Sequence, residues 1–231
     1  MKAAVRELQR GLGHEFQDPG LFQQALTHRS HVGDNNERLE FLGDAILGFV
    51  IAETLYQRLP KAREGELSRM RASLVKRETL AEVARDLKLG DHLQLGSGEL
   101  KSGGFRRDST LADALEALFG AIYLDSDFAT CRARILDLFT PRLEALPSAA
   151  ALKDPKTRLQ EFLQGRHIAL PEYEILETHG NEHNRRFRVL CRVDELDIRY
   201  EGSGSSRRRA EQDAAAGALE SLGVAPVGGG A

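Results

Sequence analysis

The sequence predicts an all-α region followed by a smaller α-β-β-β-α region of the α+β class, and three observations predict it. Apolar residues recur at helical spacing from Leu8 to about Leu146. The pattern lapses in LPSAAALKDP, residues 146–155, where Pro, Ser and Ala gather as they do in linkers. Beyond it, RFRVLCRV at 186–193 introduces a period of two. The expected organisation is therefore a helical domain over 1–146, a linker over 147–153, a second domain over 154–223 and a disordered tail, VAPVGGGA, over 224–231.

Stops at Gly13, Pro19, Gly33, Pro60, Gly90 and the glycine-rich stretch from Gly96 to Gly104 divide the first region into helices. In the second, KTRLQEFLQG reads as a short amphipathic helix stopped by Gly165, and EYEILE reads as a strand. RFRVLCRV alternates Phe187, Val189, Cys191 and Val193 against Arg186, Arg188, Leu190 and Arg192, and LDIRYEG is placed to pair beside it. SSRRRAEQDAAAGALESL is a strong helix with serine at its start.

Composition narrows the function classes. At 231 residues the chain suits one or two domains with sizeable cores. Its longest apolar stretch near the start, Ala45 to Ala52, is well short of the ~20 residues a spanning helix needs, and Met1 to Arg10 has no signal-type apolar region, so no membrane role is expected. Cys131 and Cys191 form no CxxC pair, which argues against a disulfide framework or zinc site and fits a reducing cytoplasm. The net charge of −3, with 11 Lys and Arg against 13 Asp and Glu in residues 154–223, leaves neither region basic overall. Nucleic-acid binding is not excluded, because clustering of charge rather than its sum sets the local potential.

The chemistry is concentrated in NERLEFLGDAIL, residues 36–47, where Glu37, Glu40 and Asp44 interrupt an apolar helix. At about 100° per residue, Glu40 falls about 60° and Asp44 about 20° from Glu37, so the three share a face. Leu39, Leu42, Ile46 and Val50 fall opposite and should form the core stripe. In TLADALEALFGAIYL, Asp113 and Glu116 repeat the arrangement opposite Leu111, Leu115, Leu118 and Phe119. Either these are ordinary solvated faces, or the two helices meet around a divalent cation that turns repulsion into ligation. Carboxylates without histidine or cysteine favour Mg²⁺, with Mn²⁺ able to substitute, and such sites suit phosphate-ester hydrolysis. Phe41 lies beside the acidic face, where water is expected, and is either a bare exposed aromatic or a subunit contact.

ERLEFLGDAIL resembles the ribonuclease III motif ERLEFLGDS, with Ala45 where the family often has serine. The resemblance extends through LTHRS at 26–30, EGELSRMRASLV at 64–75 and ELKSGGFRRDSTLADALEALFGAIYLD at 99–125, and the carboxy-terminal part is similar to a double-stranded RNA-binding domain. It implies the short bacterial class: an all-α catalytic domain that dimerises, followed by one α-β-β-β-α binding domain. By motif position, Glu40, Asp44, Asp113 and Glu116 are implied as metal-site carboxylates, with Asp44 and Glu116 the catalytic pair. Glu37 and Glu64 are implied as supporting acidic residues, and Phe41 as a contact with the second subunit of a homodimer. The implied activity is Mg²⁺-dependent cleavage of both strands of double-stranded RNA in the cytoplasm, leaving 5′-phosphate and 3′-hydroxyl ends. The implied substrates are ribosomal RNA precursors, structured messenger RNAs and transfer RNA precursors. His28 and His31 sit in a polar turn and read as structural, since a 2′-hydroxyl attack would favour paired histidines at the site.

Thr157, Gln160 and Gln164 share a face of the short helix opposite Leu159, Phe162 and Leu163. This face is either plainly solvated or able to hydrogen-bond 2′-hydroxyls and base edges in a shallow RNA minor groove. Ser206, Arg207, Arg208 and Arg209 bring guanidinium groups and unpaired N–H groups to a positive helix end, where phosphates should bind. The resemblance assigns both places, with His183 in the loop HGNEHN, to a duplex span of about 16 base pairs. Many such domains carry lysine where Glu211 stands, so modest affinity with a steep salt dependence is expected. The rival readings are a catalytically silent duplex-binding dimer and a small-molecule phosphohydrolase.

Overall fold

The computed structural model describes residues 2–147, 153–180 and 185–224. The chain divides into two compact units, 1–146 and 147–231. Most of the segment expected as linker, the loop residue His183 and nearly all of the expected tail lie outside the described residues.

The first unit comprises α1 (Lys2–Leu12), α2 (Pro19–Ala25), α3 (Glu37–Arg58), α4 (Glu64–Val75), α5 (Arg77–Asp86), α6 (Ser97–Lys101), α7 (Asp108–Asp125) and α8 (Phe128–Glu144). Local chemistry sets several of the starts. Asp18 caps α2 by accepting from the Gly20 N–H, with Pro19 in the first turn, and Asp127 caps α8 by accepting from the Thr130 N–H. The centre of the unit is α7. Between Thr110 and Ile122 every residue is buried except Asp113 and Glu116, so this helix is apolar on nearly all sides and must be enclosed by its neighbours.

Two glycines bring α3 against α7. A β-carbon on Gly43 would lie 1.7 Å from the Glu116 carbonyl oxygen, and one on Gly120 would lie 2.3 Å from that of Leu39. The helices therefore touch backbone to backbone, an approach only glycine permits. This contact turns the core stripe of α3 away from its expected position. Leu39, Ile46 and Val50 are buried as expected, but Leu42 is only half-buried, while Gly43, Leu47, Ile51 and Leu55 join the core. The acidic face thus runs beside the core stripe rather than opposite it.

At the far end of α7, Asp125 accepts from the backbone N–H groups of Gln17 and Asp18 at 3.0 and 2.8 Å and from His14 Nε2 at 2.7 Å. Burial acts to raise the pKa of this carboxyl, but these bonds outweigh it and hold it below the usual carboxylate value.

The second unit runs α9 (Pro155–Gln164), β1 (Glu172–His179), β2 (Arg186–Val193), β3 (Ile198–Gly204) and α10 (Arg207–Ser221). The strands form an antiparallel sheet in the order β1-β2-β3, with Tyr173 opposite Cys191 and Cys191 opposite Tyr200. The alternation in β2 holds: Val189, Cys191 and Val193 are buried beneath the helices, while Arg186 and Arg188 face outward. β3 starts later than LDIRYEG suggests, because Asp194–Leu196 forms a 3-10 turn and Asp197 adopts a left-handed conformation at φ 49° before the strand begins. Leu159 and Leu163 of α9 pack with Ala214, Ala215, Ala218 and Leu219 of α10 against this sheet.

Candidate metal centre and RNA-facing helices

The glycine contact places the acidic faces of α3 and α7 side by side. Glu40, Asp113 and Glu116, each half-buried, offer carboxylate oxygens that all lie within 4.8 Å of one another. Among the described residues this is the one such cluster of His, Cys, Asp or Glu. Asp44, one turn beyond Glu40, is exposed and lies outside that trio, yet its charge is the leading carboxylate influence on Glu116. Burial, then Asp44, Glu40 and Asp113, push the Glu116 carboxyl up to about 8. Burial, then Asp113 and Glu37, also raise Glu40, with Arg29 opposing. Asp113 is raised by burial despite the charges of Arg77, His28 and Arg29 nearby. Crowded anions in partial burial favour whatever brings positive charge. The donor set is oxygen only, which suits a hard divalent ion.

The supporting acids are less closely gathered. Glu37 begins α3, where Asn35 donates to its Oε2 at 3.2 Å and Arg29 approaches its Oε1 at 3.7 Å. Glu64 begins α4 and accepts from the Ser68 hydroxyl at 2.7 Å. It is exposed and no part of the trio. His28 is held in a tied-down turn. Its Nδ1 accepts from the Ser30 N–H at 3.1 Å, and the Ser30 hydroxyl accepts from the Gly96 N–H at 2.9 Å. Phe41 is 81 % exposed. It continues as an exposed ridge of α3 through Phe49 and Tyr56, beside a groove of about 380 Å³ lined by Leu55 and Leu67.

In the second unit, Asp154 caps α9 by accepting from the Thr157 N–H at 3.0 Å and the Thr157 hydroxyl at 3.1 Å. Gln160 is half-buried and Gln164 exposed on the same helix. Ser206 caps α10 through the Arg209 N–H at 3.2 Å, and Arg207, Arg208 and Arg209 are all exposed at that helix end. Arg207 differs from its neighbours because its Nε donates to Glu211 at 2.8 Å. Three features escaped the sequence reading: the role of Gly43 and Gly120, and the pairing of Glu211. Glycines inside two otherwise strong helices were the available signal for the first two, since such a residue costs about 1 kcal/mol relative to alanine and needs a packing reason.

The Ribonuclease-III-like family pattern matches residues 18–143, and the double-stranded RNA binding motif matches residues 155–222. The chain is 59 % identical over 224 residues to Ribonuclease 3 of Pseudomonas putida, covering 97 % of this chain and 98 % of that one.

The chain belongs to the ribonuclease III family.

Ribonuclease 3 of Vibrio parahaemolyticus is 57 % identical over 222 residues, covering 96 % of this chain and 99 % of the relative. The solved nuclease domain of ribonuclease III from Campylobacter jejuni superposes with a TM-score of 0.59 at 41 % identity, over 61 % of this chain and 99 % of that one. That structure is described as showing flexibility in a region involved in dimer formation. Family membership makes the chain an endoribonuclease of double-stranded RNA, with a helical nuclease domain and a separate α-β-β-β-α domain for the duplex. No helix among the described residues is long and apolar enough to cross a membrane.

Proposed function

We propose that the protein is a cytoplasmic, Mg²⁺-dependent homodimer that hydrolyses both strands of an RNA duplex and leaves 5′-phosphate and 3′-hydroxyl ends. The observation that carries this reading is the trio of oxygens from Glu40, Asp113 and Glu116 within 4.8 Å, at a place where Glu116 is pushed up to about 8. Glu40, Asp44, Asp113 and Glu116 would hold the ion, with Asp44 and Glu116 essential for chemistry. When bound, Mg²⁺ supplies Lewis-acid polarisation of a phosphoryl oxygen and lowers the pKa of water, and Mn²⁺ can replace it. The chain's own residues order this place. The glycine contact fixes the spacing of the carboxylates, α7 buries their far side, and Arg29 and Arg77 bring positive charge beside it. Glu37 and Glu64 would support the approach of the strand.

The dimer reading is supported by the exposed ridge of Phe41, Phe49 and Tyr56 on α3, an apolar surface of the kind that marks subunit contacts. The Campylobacter jejuni nuclease domain, which has a region involved in dimer formation, supports dimerisation of this domain as well. Two subunits supply two sites, one for each strand. In the second domain, Thr157, Gln160 and Gln164 would meet the minor groove, Ser206 and Arg207 to Arg209 would hold phosphates, and His183 would also contact the duplex. Shape recognition of this kind suits ribosomal RNA precursors, structured messenger RNAs and transfer RNA precursors.

The deciding experiment incubates a long RNA duplex with the protein and Mg²⁺ and maps the product ends. We expect Asp44→Asn and Glu116→Gln to bind duplex normally and to lose cleavage by about a hundredfold or more. Binding without cleavage by the native chain would leave only a duplex-binding dimer, and retained cutting by both variants would refute the site.

A further inference from the structure

Among the described residues, Glu211 is the one charged residue that is buried, at 8 % exposure. It stands on α10 between Ala210 and the small residues Ala214 and Ala215, all fully buried. Both of its oxygens are engaged. Oε2 accepts from Lys156 Nζ at 2.7 Å, and Oε1 accepts from Arg207 Nε at 2.8 Å. Lys156 Nζ also lies 4.3 Å over the Tyr173 ring. The next residue adds two more ties. Gln212 Oε1 accepts from the Lys156 backbone N–H at 3.0 Å, and its Nε2 donates at 2.8 Å to Asp154, the cap of α9. The second turn of α10 therefore grips the first turn of α9 at three points.

This arrangement changes what the acidic residue does. The Arg207 side chain remains 61 % exposed although its Nε is fixed, so its terminal amino groups can still form the planar fork that suits a phosphate. A guanidinium held in place before binding loses less rotamer freedom when the ligand arrives. We infer that Glu211 is a positioning residue for duplex RNA, which pre-orients Arg207 for a backbone phosphate and clamps α9, with Thr157, Gln160 and Gln164, to α10. The inference rests on the reading of α9 and α10 as RNA-facing helices. Burial acts to raise the Glu211 carboxyl, but the bonds from Lys156 and Arg207 outweigh it and hold it below the ordinary value, so the carboxylate stays charged at neutral pH.

Charge alone predicts the opposite sign, since deleting an anion beside a polyanion should tighten binding. The test uses the full chain without divalent ions and an RNA duplex longer than the ~16 base pairs such a domain spans, with anisotropy read across a salt series. Glu211→Gln and Glu211→Ala should each weaken binding about three- to tenfold and lower the salt slope by about one. Glu211→Ala should add nothing in an Arg207→Ala background, because the two act through one contact. Unchanged or tighter binding by a folded Glu211→Gln protein would overturn the inference. Arg207→Lys guards against misfolding of the Glu211 variants: it keeps the charge on an exposed residue, and wild-type binding by it would equally overturn the inference. Failure of the native chain to bind duplex would instead sink the reading of the two helices.

Discussion

The two functional regions handle charge in opposite ways. Where α3 crosses α7, carboxylates are brought together with only Arg29, Arg77 and His28 to oppose them, and burial and mutual repulsion push Glu116 up to about 8. Where α10 meets α9, a buried carboxylate is shared between Lys156 and Arg207 and is held below its ordinary value. On the proposed reading, a cation completes the first region, whereas the second is ordered before its polyanion arrives. Both rest on close helix contacts, but one contact is made by the absence of side chains and the other by bonds between them.

The largest effect should come from spoiling the glycine contact. Gly43→Ala places a methyl group 1.7 Å from the Glu116 carbonyl oxygen, so the helices must separate. A stability loss of about 3 kcal/mol or more in denaturant titration is expected, together with lost cleavage; a fully stable, fully active variant would show that the crossing is not tight.

The second prediction concerns the crowded carboxylates. A carboxyl raised in the folded state stabilises below its unfolded pKa and loses that stability as pH rises through the folded value. The metal-free native protein should thus lose stability between about pH 4.5 and pH 8, and Glu116→Gln should flatten the loss and raise the midpoint of thermal unfolding at pH 8. Mg²⁺ should restore the native protein and do much less for the variant. Melting curves across pH with and without Mg²⁺ decide it.

The smallest effect belongs to the compensated side. Arg208 lies in the first turn of α10, where its charge helps to lower the Asp154 carboxyl, and Arg208→Ala should remove one phosphate contact while leaving the Arg207–Glu211 bond in place. The slope of log affinity against log salt should fall by about one, uniformly across duplex sequences. A sequence-dependent loss would mean that Arg208 reads bases.

The sequence carried the fold class because its two periods are strong: α7 is apolar almost throughout, and β2 alternates except at Leu190. Asp113 and Glu116 were legible for the same reason, as the two interruptions in a buried helix. The turn of α3 was not, because a helical wheel weighs apolar side chains and gives glycine no weight, although Gly43 is where a β-carbon would meet the backbone of α7. Glu211 was visible as an anomaly but not as a partner, since Lys156 is 55 residues away in the chain. The late start of β3 depended on one left-handed residue, Asp197, which no pattern of polarity marks.

The carboxylate that ends α7 extends the influence of that helix. Gln17 and Asp18 lie in an exposed connection, yet their amide protons are held by Asp125, whose helix also carries Asp113 and Glu116. An exposed segment tied to the most buried helix opens with that helix, so the loop between α1 and α2 shares the cooperative unit of the acidic cluster instead of fraying by itself.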